Sequence, residues 1–201
     1  YPLEIGQKFT FDNDPTPGNA TRVQLPDTDV LGSLNVGDRI LLNDGKIEMR
    51  VDFASPERVD ATVVRGNEIW SRRGFNLPDT EINTSVLTTK DRADLEYAIT
   101  KNPDYVAISF VQRPEDVAEV RDFITARTAH PIKIIAKIER PNAVERITDI
   151  AAVADGIMIA RGDLAVEVPY AEVPAISRHI IRECRKMNKP VIVATQMLGS
   201  M

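Results

Sequence analysis

The chain has 201 residues, enough for one or two domains with a real core, and its 43% hydrophobic and 27% charged residues are ordinary for a soluble globular protein. A formal net charge of -5 argues against a general nucleic-acid binder, which needs a basic surface to displace counterions. A single cysteine, Cys184, excludes an internal disulfide and a Cys-based zinc site and fits a reducing cytoplasm. No apolar run approaches the ~18 residues of a membrane span, and no charged-then-apolar leader opens the chain.

Residues up to about Leu77 read as all-β. DNDPTPGN is rich in turn residues and is expected as an exposed loop. In KIEMRVDF, apolar Ile47, Met49, Val51 and Phe53 alternate with polar Glu48, Arg50 and Asp52, which predicts one buried face. Asn43-Asp44-Gly45 before it is a tight hairpin signal. A second hairpin is expected from RVDATVV to EIWSRR, turning at Gly66-Asn67.

After Pro78 the texture changes to alternating helix and strand. Thr88 with Asp91 three residues on predicts a capping box that opens a helix through Ile99. Tyr105 to Phe110 reads as the first parallel strand, and Pro114 opens a helix whose Val117, Val120 and Ile124 face inward. IKIIAKIE, DGIMIARGDLA and KPVIVATQM share one pattern, a β-branched run ending abruptly in charged, Gly or hydroxyl residues. Each reads as a buried parallel strand with its reactive residues at the C-terminal tip. Side chains alternate along a strand, so Lys137 and Glu139 project to the same side. Between the last two strands, Val173, Ile176, Ile180, Ile181, Cys184 and Met187 line one helix face, with Arg178, Arg182 and Lys186 outside it. Cys184 is thereby expected as core filler, and His130 and His179 as surface or packing residues.

Spacing alone leaves Glu139 and Asp163 as a rim of solvated carboxylates, Lys137 as an ion-paired lysine and Thr195 as one more strand residue. Yet two carboxylate oxygens completed by water and substrate oxygens suit Mg²⁺ or Mn²⁺ better than zinc.

AKIE, DGIMIARGDLA, KPVIVATQML and AISFVQRPEDV, in this order and spacing, resemble pyruvate kinase, and the likeness extends through NDGKIEMRV and SRRGFNLPD. It implies part of a TIM (β/α)8 barrel, residues 83–201, preceded by a small all-β lid domain, residues 1–82, whose first residues precede Tyr1. It implies transfer of a phosphoryl group from phosphoenolpyruvate to ADP, giving pyruvate and ATP in the cytoplasm. Glu139 and Asp163 would hold Mg²⁺ or Mn²⁺, and Lys137 would contact the phosphoryl group in flight. The amides of Gly162 and Asp163 would receive the substrate carboxylate, and Thr195 would touch the substrate and help protonate the enolate. Arg72 and Arg73 stand where the family has a lysine pair, and Arg73 would approach the nucleotide phosphates. K⁺ is implied as a second cation with its ligands upstream of Tyr1, and a homotetramer is implied for the full-length protein.

This sequence departs from the pattern in several places. Gln112 stands where the family has Arg, with Arg113 next; Ala165 replaces Gly and Gly199 replaces Glu. A metal-dependent pyruvate aldolase or citrate-lyase-like enzyme is the alternative enzyme, and a truncated non-catalytic relative the alternative outside catalysis. Four recognisable barrel strands cannot close an eight-stranded barrel of ~250 residues, so an inactive fragment is expected, with Val106, Ile108, Ile134, Ile157, Ile159 and Val193 incompletely covered.

Overall fold

The structure, a computed structural model, describes residues 1–71, 73–82 and 85–195. They form two compact units, Tyr1–Thr84 and Ser85–Met201.

The first unit is a six-stranded sheet. Strands β1 (Lys8–Asp12), β2 (Arg22–Gln24), β3 (Arg39–Leu42), β4 (Ile47–Ala54), β5 (Arg58–Arg65) and β6 (Phe75–Asn76) pair in the order β2-β1-β5-β4-β3-β6. The β1-β2 pair is parallel and the others antiparallel. Phe9, Phe11, Ile40, Ile47 and Met49 are fully buried on one side, each contributing about 1.5–3 kcal/mol of transfer free energy. The Asn43-Asp44-Gly45 turn does join β3 to β4, with all three residues at positive φ. The turn-rich loop from Asp12 to Asn19 is largely exposed, and the Arg22 guanidinium ties it down through Asp12 and the Thr16 carbonyl.

Three expectations for this unit are corrected. It is not purely β, because Asp27 caps a short helix, α1 (Thr28–Ser33), through the amides of Asp29 and Val30. Phe53 is 50% exposed rather than inward, since the pairing shifts register between Val51 and Phe53 and the extra residue turns the side chain over. Among the described residues there is no hairpin at Gly66-Asn67. Instead the backbone of residues 67–69 bonds to the chain start, Leu3 N to Asn67 O at 2.9 Å and Ile69 N to Tyr1 O at 2.8 Å. Gly66 marks the departure from the sheet at φ +117, where a Cβ would lie 2.9 Å from Ile47 Cγ1.

The second unit alternates helix and strand. In chain order these are α2 (Thr89–Ile99), β7 (Tyr105–Ile108), α3 (Pro114–Thr125), β8 (Lys133–Ile138), α4 (Pro141–Glu145), α5 (Ile147–Val153), β9 (Gly156–Ala160), α6 (Arg161–Glu167), α7 (Val173–Lys186) and β10 (Val191–Ala194). The expected Thr88–Asp91 capping box opens α2. The four strands pair in parallel in the order β10-β9-β8-β7. Ile108, Ile134, Ile138, Ile157 and Ile159 pack with Val117, Val120, Ile124, Ile147, Ile150 and Ile180 of the helices into one core. The expectation of incomplete cover is corrected for Ile108, Ile134, Ile157 and Ile159, which the helices bury, whereas Val106 and Val193 on the edge strands are half-buried. The opposite face carries Tyr105 at 53% and Ile192 at 45% exposure.

Candidate active site at the carboxyl ends of the parallel strands

β8 is apolar and buried from Ile134 to Ala136, after which Lys137 emerges on the open face while Ile138 returns to the core. The chain leaves the strand at Glu139, so two charged side chains follow one another on the same side. Lys137 Nζ lies 2.7 Å from Glu139 Oε1, with the carboxylate side chain 2% exposed and the lysine 24%. Nζ also donates to Ser109 Oγ at 2.8 Å, from the segment after β7. Glu139 Oε2 accepts from the Phe110 amide at 2.7 Å. The expected meeting of cation and carboxylate is thus present, joined by two partners from the neighbouring strand end.

Phe110 was not foreseen as a contributor. It adopts φ 56, which a bulky residue rarely does, and this turns its N–H onto Glu139. Nothing in SFVQ signals that conformation, because an aromatic residue carries no preference for it.

Gly162 and Asp163 differ from expectation in their element. They belong to the first turn of α6, immediately after β9, rather than to the strand. Both are exposed. The first-turn amides of a helix have no intrahelical acceptor, which leaves them able to receive an anion. A Cβ on Gly162 would meet Thr195 Cγ2 at 3.1 Å, so the two segments approach closely here. Thr195 lies just past β10, exposed, at φ 70, an outlying conformation for a β-branched residue. Arg161, which sequence reasoning passed over, holds that geometry: its Nε donates to Ala194 O and its Nη2 to Thr195 O, both at 3.0 Å.

The carboxyl ends of β8, β9 and β10 therefore bring Lys137, Glu139, Gly162, Asp163 and Thr195 to one edge of the sheet. Arg73 belongs to the other unit, exposed, with its guanidinium 5.1 Å from the Trp70 ring centroid. Arg72 and Gly199 lie outside the described residues. Ala165 is half-buried in α6. Gln112, whose role the sequence left open, is buried and accepts from Arg140 Nη1 at 2.9 Å and Asn142 Nδ2 at 3.0 Å.

Among the described residues no group of three or more His, Cys, Asp or Glu is arranged to hold a metal ion. A carboxylate has about four lone-pair sites. Glu139 has a protein donor on each oxygen, so acceptor capacity remains on both for a hard cation sharing the site with substrate and water. On those terms Glu139 is chemically suited to a hard cation such as Mg²⁺ or Mn²⁺.

Fold and site together define a class, a β/α protein whose parallel sheet presents its reactive side chains at the strands' carboxyl ends. Comparison with known proteins narrows it. The family model described as pyruvate kinase, barrel domain, matches residues 1–201. A pyruvate kinase of Methylorubrum extorquens is 46% identical, covering 99% of this chain and 41% of the relative. One from Agrobacterium vitis is 44% identical, covering 89% of this chain and 37% of the relative. The crystal structure of a pyruvate kinase from Cryptosporidium parvum superposes with a TM-score of 0.91 at 32% identity, covering 99% of this chain and 42% of that one. The chain belongs to the pyruvate kinase family, and it spans about two fifths of the length of these relatives.

Proposed function

We propose that this chain is the central part of a pyruvate kinase that transfers a phosphoryl group from phosphoenolpyruvate to ADP, yielding pyruvate and ATP. The observation that carries the proposal is the Lys137 ammonium held between Ser109 and a buried Glu139 at a strand tip. A fixed cation there can offset the charge spread over the equatorial oxygens of a phosphoryl group in flight, and it needs no reorganisation as the reaction proceeds.

In this reading Glu139 and Asp163 hold Mg²⁺ or Mn²⁺, whose contribution when bound is to neutralise charge on the phosphoryl and substrate oxygens. The amides of Gly162 and Asp163 bind and orient the substrate carboxylate. Thr195 contacts the substrate on the side where the enolate is protonated. Ser109 gives Lys137, and the Phe110 amide gives Glu139, a second partner beside the ion pair that joins them.

Residues 1–82 act as the lid domain in this proposal, and residues 83–201 as part of the eight-stranded catalytic barrel. Arg73 then reaches the nucleotide phosphates, its planar fork replacing a compact ammonium. The K⁺ dependence, the homotetramer and the cytoplasmic location implied by the family belong to the full-length protein, and no residue of this chain is assigned to K⁺.

The test is a lactate-dehydrogenase-coupled assay on a full-length protein carrying this segment. Pyruvate should form from phosphoenolpyruvate only when ADP and Mg²⁺ or Mn²⁺ are present. Pyruvate released from a 4-hydroxy-2-oxo acid without ADP would instead identify an aldolase.

A further inference from the structure

Behind the strand tip lies a buried polar network that the reaction chemistry does not use. Arg140 Nε lies 3.3 Å from Glu167 Oε2, with the side chains 5% and 2% exposed. Gln112 Oε1 accepts from Arg140 Nη1 and Asn142 Nδ2 at 2.9 and 3.0 Å, and the Gln112 backbone N–H donates to Asp116 Oδ2 at 2.7 Å. The Gln112 carbonyl accepts from Arg146 Nη1 at 3.4 Å.

A buried ion pair usually stabilises a fold no more than well-packed apolar residues would, because desolvation offsets the attraction. What it fixes is relative position, and its placement is specific. Arg140 directly follows Glu139 in extended backbone, φ -129 and ψ 151, so the two side chains project to opposite sides. Glu139 is presented to Lys137 and Phe110, and Arg140 is buried and anchored to Gln112 and Glu167. Glu167 lies four residues, about one turn, after Asp163 in α6, and it is buried where Asp163 is exposed, so anchoring Glu167 fixes the helix that carries Asp163. Gln112, two residues after Phe110, joins the third segment to the same guanidinium.

We infer that Arg140 and Glu167 are positioning residues that set the distance between Glu139 and Asp163, and thereby the affinity of the divalent-cation site. Gln112 completes the device: a neutral acceptor at position 112 accommodates the buried cation supplied from position 140. The inference rests on the assignment of Glu139 and Asp163 as metal ligands. It gives the departure at position 112 a physical role, since an arginine there would face Arg140.

The test is Mn²⁺ binding without substrates, followed by the electron paramagnetic resonance signal of free Mn²⁺ in a full-length protein carrying this segment. Glu167→Gln, nearly isosteric, should weaken Mn²⁺ binding about tenfold, the lower end of what outer partners of metal ligands contribute. Ile99→Val, in the core at the end of α2, an element that supplies no residue of the network, should lower the melting temperature and leave the Mn²⁺ affinity unchanged. Glu139→Gln checks the underlying assignment separately; intact Mn²⁺ binding there would remove the metal site itself. Loss of binding in Glu139→Gln alongside affinity within twofold of the parent in Glu167→Gln would overturn the positioning role alone. If Glu167→Gln does not fold, Glu167→Asp is measured the same way: it keeps the charge but shortens the reach, and the same twofold limit decides.

Discussion

At the scale of single residues, the sequence disclosed identities better than conformations. Lys137 and Glu139 were legible as a pair because strand alternation alone puts i and i+2 on one side. The left-handed conformations of Phe110 and Thr195 were not legible, since neither residue type favours φ near 60° and only tertiary contacts hold them there. Gly162 combines both lessons: its residue type was informative, but its place in α6 became clear only from the fold. Because a Cβ would already lie 3.1 Å from Thr195 Cγ2, Gly162→Val should raise the KM for phosphoenolpyruvate on the order of tenfold, equivalent to ~1.4 kcal/mol of binding. An unchanged KM in steady-state kinetics would separate Gly162 from the substrate carboxylate. Cys184 offers an independent check, for burial raises its thiol pKa to about 11. Folded protein at pH 8 should therefore react with a disulfide reagent only as fast as it unfolds, and prompt stoichiometric labelling would contradict its place in the core.

At the scale of elements, features with a local signal read more faithfully than those set by long-range pairing. The α2 capping box, the proline at the start of α3 and the apolar stripe of α7 are local signals, and each has its structural counterpart. The failed hairpin at Gly66 and the outward Phe53 both depend on long-range pairing, with the chain start in one case and across β5 in the other. Gly66→Ala should thus destabilise the first unit by about 1–3 kcal/mol, the usual cost of forcing a side chain into such a conformation, and urea unfolding would measure it. The end of the same unit is fastened by Asp79, which accepts from the Arg39 amide at 3.0 Å and from its Nε and Nη2 at 2.8 and 2.6 Å. The Arg39 hydrogen bonds hold the Asp79 carboxyl below its usual range despite partial burial. A carboxylate depressed on folding stabilises above its unfolded pKa, about 3.9, and that contribution disappears as pH falls through the folded value. Asp79→Asn should accordingly lower the melting temperature at pH 7, with the gap from the parent closing as the pH drops below about 4. A gap that persists or widens in acid would show that the Arg39 contacts do not act through the ionised carboxylate.

At the scale of the whole molecule, the family was legible because AKIE, RGDL and ATQM occur in order at the ends of successive β/α units. The distribution of exposed apolar surface was not, because a continuous β-branched run does not say which face the helices will cover. Tyr105 and Ile192 share the open face of the four-stranded sheet, from its two edge strands. The 201-residue chain alone should therefore self-associate in sedimentation velocity, and Ile192→Lys should shift it toward monomer. A chain that stays monomeric at high concentration would contradict that reading.

The most direct measurement of the central claim is kcat together with melting temperature for Lys137→Met in a full-length protein carrying this segment. Lys137 has a structural partner in Glu139 and a proposed role in the transition state, and the two contributions separate in this variant. Methionine keeps the apolar stem but deletes the charge, so an interaction made mainly in the transition state should be lost, lowering kcat by roughly 10²-fold to 10³-fold with a smaller change in KM. The melting temperature should fall as well, since a buried carboxylate loses its ion pair. A variant that melts early yet turns over within about tenfold of the parent, a barrier change of only ~1.4 kcal/mol, would leave Lys137 a structural residue and contradict the mechanism.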